Sequence, residues 1–170
     1  MIYQVPSDIK LTGSILLIGF GNPGRLDDGL GPALAEQIDQ WCQSQLGQPQ
    51  LTVETCYQLA VEHAALVSGY DVVVFADADM QGCAPFQWSR IEPRLDASFT
   101  THDVAPSTVL GLAHNLFSAT TQGYLLAIRG YQFDDFGETL SVPAQDNLSA
   151  AVQWLQSQPQ LQTIRSEADR

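Results

Sequence analysis

The sequence alternates between apolar runs of strand length and segments with helical periodicity. Residues 14–20 (SILLIGF) and 71–76 (DVVVFA) are almost wholly apolar, which is typical of strands buried on both faces of a sheet. Residues 29–45 and 143–156 instead carry apolar side chains at helical spacing. This alternation predicts an α/β fold: a mostly parallel, twisted sheet of about five strands, with helices on both faces in a three-layer sandwich.

The remaining segments complete this pattern. Further strands are predicted at 51–56, 86–91 and 124–129, the second of them nearer an edge, and further helices at 60–68 and 106–117. A long loop is predicted at residues 93–103. No repeat, low-complexity block or long linker divides the 170 residues. We therefore expect a single domain, 1–170, with a core of about 14–158 and a polar, frayed tail at 159–170.

Composition limits the function. Asp and Glu number 19 against 7 Lys and Arg, and the net charge of −12 argues against nucleic acid and anionic membranes as partners. The first residues lack the basic start and long apolar run of a signal peptide, so none is expected. No apolar stretch approaches the roughly 18 residues of a membrane helix. Three widely spaced cysteines argue against a disulfide framework. These features predict a cytoplasmic protein that meets a cation or a basic peptide.

A glycine-rich loop follows the first predicted strand. Gly19, Gly21 and Gly24 (GFGNPG) match the GxGxxG pattern of dinucleotide sites. Asp27 and Asp28 stand at the entrance of the next helix, where two carboxylates would repel a phosphate. A nucleotide-dependent oxidoreductase is therefore kept only as an alternative. We expect Asp27 to cap the helix and Asp28 to face a site.

Two further residues are candidates for the same site. Asp77 follows a buried strand, and the carboxyl end of such a strand opens into the crevice where ligands bind; the alternative is a turn formed with Asp79. His102 precedes a helix, whose N-terminus favours a neutral ring able to ligate; the alternative is a surface histidine. These segments can meet Asp28 at one edge of the sheet. Two carboxylates and one imidazole suit nickel, zinc or cadmium.

In combination these motifs resemble the hydrogenase maturation protease family. Residues 18–31 (IGFGNPGRLDDGLG) resemble its first block: a strand, Gly-x-Gly-Asn, a short loop, an acidic pair and Gly-x-Gly. Residues 75–78 (FADA) resemble the second block, and Thr101-His102 with 110–112 (LGL) the third. Residues 58–62 (QLAVE) are similar to the loop after the family's second strand. The resemblance spans about residues 14–155, in the same order and with similar gaps.

The resemblance implies an endopeptidase that removes the C-terminal extension of the nickel–iron hydrogenase large-subunit precursor after nickel insertion. It implies that Asp28, Asp77 and His102 are the catalytic and metal-contacting residues, with the nickel carried by the precursor rather than permanently bound. The family has Asp or Glu at the position of Asp28. No GxSxG nucleophile elbow is present, and whether a metal or a carboxylate activates the attacking water is left open. The same residues would also suit a nickel-binding maturation chaperone without cleavage, or a metallopeptidase with its own zinc.

Overall fold

A five-stranded sheet forms the centre of the computed structural model, which describes residues 11–45, 51–95 and 104–161. The strands are β1 (Ile15–Phe20), β2 (Leu51–Cys56), β3 (Val72–Asp79), β4 (Phe86–Ile91) and β5 (Gln122–Arg129), in the spatial order β2-β1-β3-β5-β4. Only β4 runs antiparallel to its neighbour. The predicted mostly parallel sheet of about five strands is confirmed.

Helices cover both faces of this sheet. They are α1 (Leu30–Ser44), which follows a 3-10 turn (Leu26–Gly29), α2 (His63–Val67), α3 (Pro106–Phe117) and α4 (Val142–Gln156). Along β1, Leu17 packs into the cluster with α1 and α4, whereas Leu16 and Ile18 pack into the opposite cluster with α2 and α3. Successive side chains of a strand point to opposite faces, so one apolar run supplies two cores. The predicted three layers are confirmed.

Several boundaries differ from the sequence-based predictions. β3 continues three residues beyond Ala76, because β5 pairs with it as far as Asp79. α2 is shorter than residues 60–68, and β5 begins two residues earlier than predicted, at Gln122. Leu161 is 1% exposed and joins the core, so the expectation of a frayed tail from residue 159 is wrong at that position. Residues 96–103 of the predicted loop and 162–170 of the tail lie outside the described residues.

Chain connections diverge between β1 and β3. After β1 the chain passes through α1 to β2 on one side, whereas after β3 it continues towards β4 and β5 on the other. Loops that leave adjacent parallel strands in opposite directions open a crevice at the carboxyl ends of those strands, where ligands of such folds bind. The fold therefore places the candidate site between the ends of β1 and β3. Across residues 11–45, 51–95 and 104–161, no helix has the length and apolar character needed to cross a membrane.

Candidate active site

Glycines bring the loop after β1 and the first turn of α1 directly onto the strand ends. A Cβ on Gly31 would lie 2.3 Å from the carbonyl oxygen of Phe20 and 2.4 Å from that of Ala76. Gly21 has a φ of 137°, and a Cβ there would lie 2.1 Å from the carbonyl oxygen of Asp28. Only a residue without a side chain permits such contacts between backbones. These glycines are explained by packing at the β1–β3 crevice.

Asp28 lies in the 3-10 turn and is half-buried. Its Oδ2 accepts a hydrogen bond of 2.9 Å from the backbone N–H of Asn22, and its own N–H donates to the carbonyl of Arg25 at 3.2 Å. A phosphate at a glycine loop depends on backbone N–H donors of this kind. Because a carboxylate already takes the Asn22 donor, the loop is poorly suited to a dinucleotide.

Asp27 is fully buried and is bonded to the segment that leads into α4. Its Oδ1 accepts a hydrogen bond from the N–H of Ser141 at 2.7 Å. Its Oδ2 accepts bonds from the Ser141 hydroxyl at 2.7 Å and from the N–H groups of Tyr131 at 2.8 Å and Gln132 at 2.9 Å. Burial acts to raise the pKa of Asp27, but these hydrogen bonds, led by the Ser141 hydroxyl, outweigh it and leave the pKa below its ordinary value.

The prediction that Asp27 caps the helix after the glycine loop is wrong. The residues at the N-cap positions of the 3-10 turn and of α1 are Arg25 and Gly29, and neither makes a side-chain capping bond. Asp27 instead binds the N–H of Ser141, which is the N-cap residue of α4. The acidic pair is therefore divided between a structural residue, Asp27, and the candidate site residue, Asp28.

Asp77 lies within β3, on the face that carries α2 and α3. It is two residues beyond Phe75, which packs into the cluster of that face, and it pairs in register with Ala127 of β5. It is half-buried, and its Oδ1 accepts the N–H of Ala78 at 2.8 Å. Because β1 ends at Phe20 while β3 and β5 continue, Asp77 borders the crevice.

The turn after β3 is formed by the side chain of Asp79. Its Oδ1 accepts hydrogen bonds from the N–H groups of Gln81 at 2.8 Å and Gly82 at 2.9 Å, and its carbonyl accepts the N–H of Gly130 at 3.0 Å. The guanidinium of Arg129 also donates to the carbonyl of Met80. These bonds join the end of β3 to the end of β5 and so fix the strand that carries Asp77.

The fold places two of the three predicted site residues on neighbouring elements. The 3-10 turn with Asp28 contacts β3, which carries Asp77, and both elements border the crevice between β1 and β3. His102 lies outside the described residues. Within the part of the chain that the structure describes, no group of three His, Cys, Asp or Glu side chains is placed to hold a metal ion.

Cys56 ends β2 next to the glycine loop, and its carbonyl accepts the N–H of Gly21 at 3.1 Å. Burial, together with the charge of Glu54, raises the pKa of the Cys56 thiol. A thiolate is the reactive form of cysteine, so this environment disfavours Cys56 as a nucleophile.

The residues that support the acidic pair could not be identified from the sequence. Ser141 and Asn22 both bind an aspartate of the acidic pair, yet they belong to a helix start and a loop. A serine before a helix normally predicts a cap, and nothing in the spacing connects position 141 with position 27. One feature of the sequence indicated that the two aspartates have different partners: a helix cap needs only one carboxylate, and the loop has two.

No protein-family model matches the sequence, and no curated protein does. Solved structures do share its fold. The [NiFe] hydrogenase maturation protease HycI from Thermococcus kodakarensis KOD1 has a TM-score of 0.65 at 18% identity, over 84% of this chain and 89% of that one. Hydrogenase 2 maturation peptidase from Thaumarchaeota archaeon SCGC_AB-539-E09 gives 0.59 at 19%, over 84% and 96%, respectively. The hydrogenase maturating endopeptidase HybD from Escherichia coli gives 0.58 at 18%, over 84% and 89%. At these identities the comparison establishes the fold.

Proposed function

We propose that this chain is an endopeptidase that removes the C-terminal extension of a nickel–iron hydrogenase large-subunit precursor once nickel has been inserted. One observation carries the proposal. Asp28 and Asp77 lie on two contacting elements that border the β1–β3 crevice, in a fold shared with solved hydrogenase maturation proteases. The crevice at the carboxyl ends of the strands is where a fold of this type places its ligand.

The site residues have the chemistry to contact nickel. Asp28 and Asp77 supply carboxylate oxygens, and His102, assigned by its motif, would add an imidazole nitrogen. Oxygen and imidazole ligands together suit a borderline divalent ion. The nickel belongs to the precursor and reaches the crevice as part of the substrate.

Cleavage adds one water across a peptide bond. The hydroxyl goes to the carbonyl carbon, the proton to the amine, and the C–N bond breaks. In our proposal Asp28 and Asp77 hold the nickel-bearing region so that the scissile bond lies beside the crevice. A precursor without nickel lacks this contact and so loses the binding energy that drives cleavage. Asn22 orients the Asp28 carboxylate, and pairing with β5 holds Asp77.

Exposed apolar side chains near the crevice support a protein substrate. Phe136 is 84% exposed and adjoins Gly137, whose backbone bonds with Gly24 and Leu26 beside the acidic pair. Tyr57, directly after β2, is 69% exposed, and exposed apolar groups rimmed by polar ones are typical of interaction surfaces. A protein partner would bury these side chains.

The direct test compares two forms of one precursor. Nickel-loaded and nickel-free large-subunit precursor are incubated separately with the protein, and the loss of the C-terminal extension is followed by mass spectrometry. We expect cleavage of the loaded form, and cleavage slower by roughly a hundredfold or more for the nickel-free form, because the nickel contact is worth several kcal/mol.

Each outcome identifies a different function. Equal cleavage of both forms would contradict the proposed dependence of cleavage on nickel. Tight binding of the loaded precursor without any loss of mass would identify a chaperone. Cleavage that requires metal bound to the protein before mixing would identify a metallopeptidase with its own ion.

Phe136→Ser is expected to raise KM for the precursor about tenfold and leave kcat unchanged. Truncation of a side chain that anchors an interface costs more than about 1 kcal/mol, and Phe136 would be such an anchor, in contact with the precursor away from the reacting bond. The measurement is steady-state cleavage of nickel-loaded precursor. Leu116→Ser is the matched control. Leu116 is 65% exposed, but it lies near the end of α3. That helix leads into the start of β5, at the opposite end of the strands from the crevice. A similar effect of both variants would contradict a specific contact.

A further inference from the structure

We propose that Asp27 and Ser141 are positioning residues for the proposed reaction: their hydrogen bonds hold the turn that carries Asp28 in its working orientation. This inference rests on the proposed function. It concerns a buried pair that does not itself contact the substrate. The two residues are 114 positions apart in the chain, and they are joined by two bonds of 2.7 Å.

The connection from β5 to α4, residues 130–141, is here termed the strap. Its backbone follows the 3-10 turn closely. The N–H of Leu26 donates to the carbonyl of Gly137 at 2.8 Å, and the N–H of Gly137 donates to the carbonyl of Gly24 at 2.9 Å. The N–H of Asp27 donates to the carbonyl of Gln132 at 3.0 Å. The strap thus binds the turn along its length.

The strap also starts beside the second candidate carboxylate. The N–H of Gly130 donates to the carbonyl of Asp79, two residues beyond Asp77. A Cβ on Gly130 would lie 3.0 Å from the Cβ of Asp27, so the start of the strap packs directly on the buried aspartate. One segment therefore contacts the element that carries Asp28 and the strand that carries Asp77.

The side chain of Ser141 does not cap its own helix but bonds to Asp27. Ser141 is the N-cap residue of α4, but its hydroxyl makes no capping bond to the helix and donates instead to Asp27. An N-cap serine ordinarily accepts a hydrogen bond from a backbone N–H in the first turn of its own helix. The observed geometry uses that side chain to fix the acidic pair.

The turn contains a strained residue that needs this support. Leu26 has a φ of 52°, a left-handed conformation that a branched side chain rarely adopts. Such a residue persists only where the surrounding structure holds it. Leu26 precedes Asp27 and is bonded to Gly137 of the strap, so weakening the strap lets the turn relax and carries Asp28 with it.

The orientation of Asp28 has its own reporter, the N–H of Asn22 that donates to the Asp28 carboxylate. Backbone amide exchange at Asn22 is therefore measured by NMR in the intact chain, without substrate, and compared among Ser141→Ala, Ser141→Thr and Asp27→Asn. Ser141→Ala is expected to speed exchange about tenfold, Asp27→Asn more, and Ser141→Thr to stay near the parent protein. Ser149→Ala is the control, because Ser149 is also on α4 and its hydroxyl donates to the carbonyl of Gln145 within the same helix.

The same variants are assayed for cleavage of nickel-loaded precursor. We expect Ser141→Ala to lower kcat roughly tenfold and Asp27→Asn roughly a hundredfold, with KM unchanged, because small displacements of a reacting group have effects of this size. Ser141→Thr should restore kcat, since it keeps the hydroxyl. Circular dichroism confirms that each variant is folded; Ser141→Ala, which removes a single hydroxyl, serves if Asp27→Asn does not fold.

Unchanged exchange at Asn22 in folded Ser141→Ala would overturn the inference, whatever the activity. Faster exchange with unchanged kcat would overturn it too, because the orientation would then not matter for cleavage. If the parent protein does not cleave the precursor while exchange responds as expected, the proposed function fails and the positioning of Asp28 stands.

Discussion

Asp77→Asn is expected to lower the rate of precursor cleavage roughly a thousandfold. Asparagine keeps the shape of the side chain but removes the negative charge that we propose contacts the nickel, and the loss of such a contact costs several kcal/mol. The bond from the Ala78 N–H to Oδ1 can be retained by the amide oxygen, so the strand is expected to stay folded. Single-turnover cleavage of nickel-loaded precursor measures the effect directly.

The control for Asp77→Asn is Asp146→Asn. Asp146 is an exposed carboxylate on α4, so its substitution removes the same charge without touching the crevice. We expect cleavage within about twofold of the parent protein, since screened surface charges contribute little. If Asp77→Asn cleaved as fast as Asp146→Asn, Asp77 would have no part in the reaction.

Gly31→Ala is expected to destabilise the protein by about 3 kcal/mol. Intrinsic helix propensity predicts the opposite, because alanine in a helix is about 1 kcal/mol more favourable than glycine. The new methyl group would lie 2.3 Å from the carbonyl oxygen of Phe20 and 2.4 Å from that of Ala76, and these are backbone atoms of two central strands. Relief requires α1 to move away from the sheet, and overpacking of this kind typically outweighs propensity.

Urea unfolding measures this free energy. Gly69→Ala is the comparison, because a Cβ at Gly69 would meet only the carbonyl oxygen of Leu66, at an ordinary 3.5 Å. We expect that variant to change the free energy of unfolding by less than about 1 kcal/mol. A Gly31→Ala protein as stable as the parent would show that α1 is not held against the strand ends as described.

The three layers of this fold could be predicted because its buried strands are visible in the sequence as continuous apolar runs. The apolar runs that form β1 and β3 are covered on both faces, as is typical of a parallel sheet between two helical layers. The end of β3 could not be predicted in the same way. Asp77 and Asp79 interrupt the apolar run, and their place in the strand depends on pairing with β5, about 50 residues later.

The candidate site was predictable only in part. The position of Asp28 follows from a strand, a glycine loop and an acidic pair that are contiguous in sequence, and Asp77 follows from a strand end. The different roles of Asp27 and Asp28 were not predictable, because they depend on the hydrogen bonds that Ser141 makes to Asp27. Local rules assign that serine to the start of its own helix, whereas tertiary structure gives its hydroxyl to Asp27.

The bond between Asp27 and Ser141 also has a consequence for synthesis. A chain that has left the ribosome only as far as β5 already contains both candidate carboxylates, but it lacks the serine that fixes the turn of the first one. Domains are completed only when their most distant contacts have been translated. Under the proposed function, a newly made chain would therefore stay inactive until its last helix had begun to form.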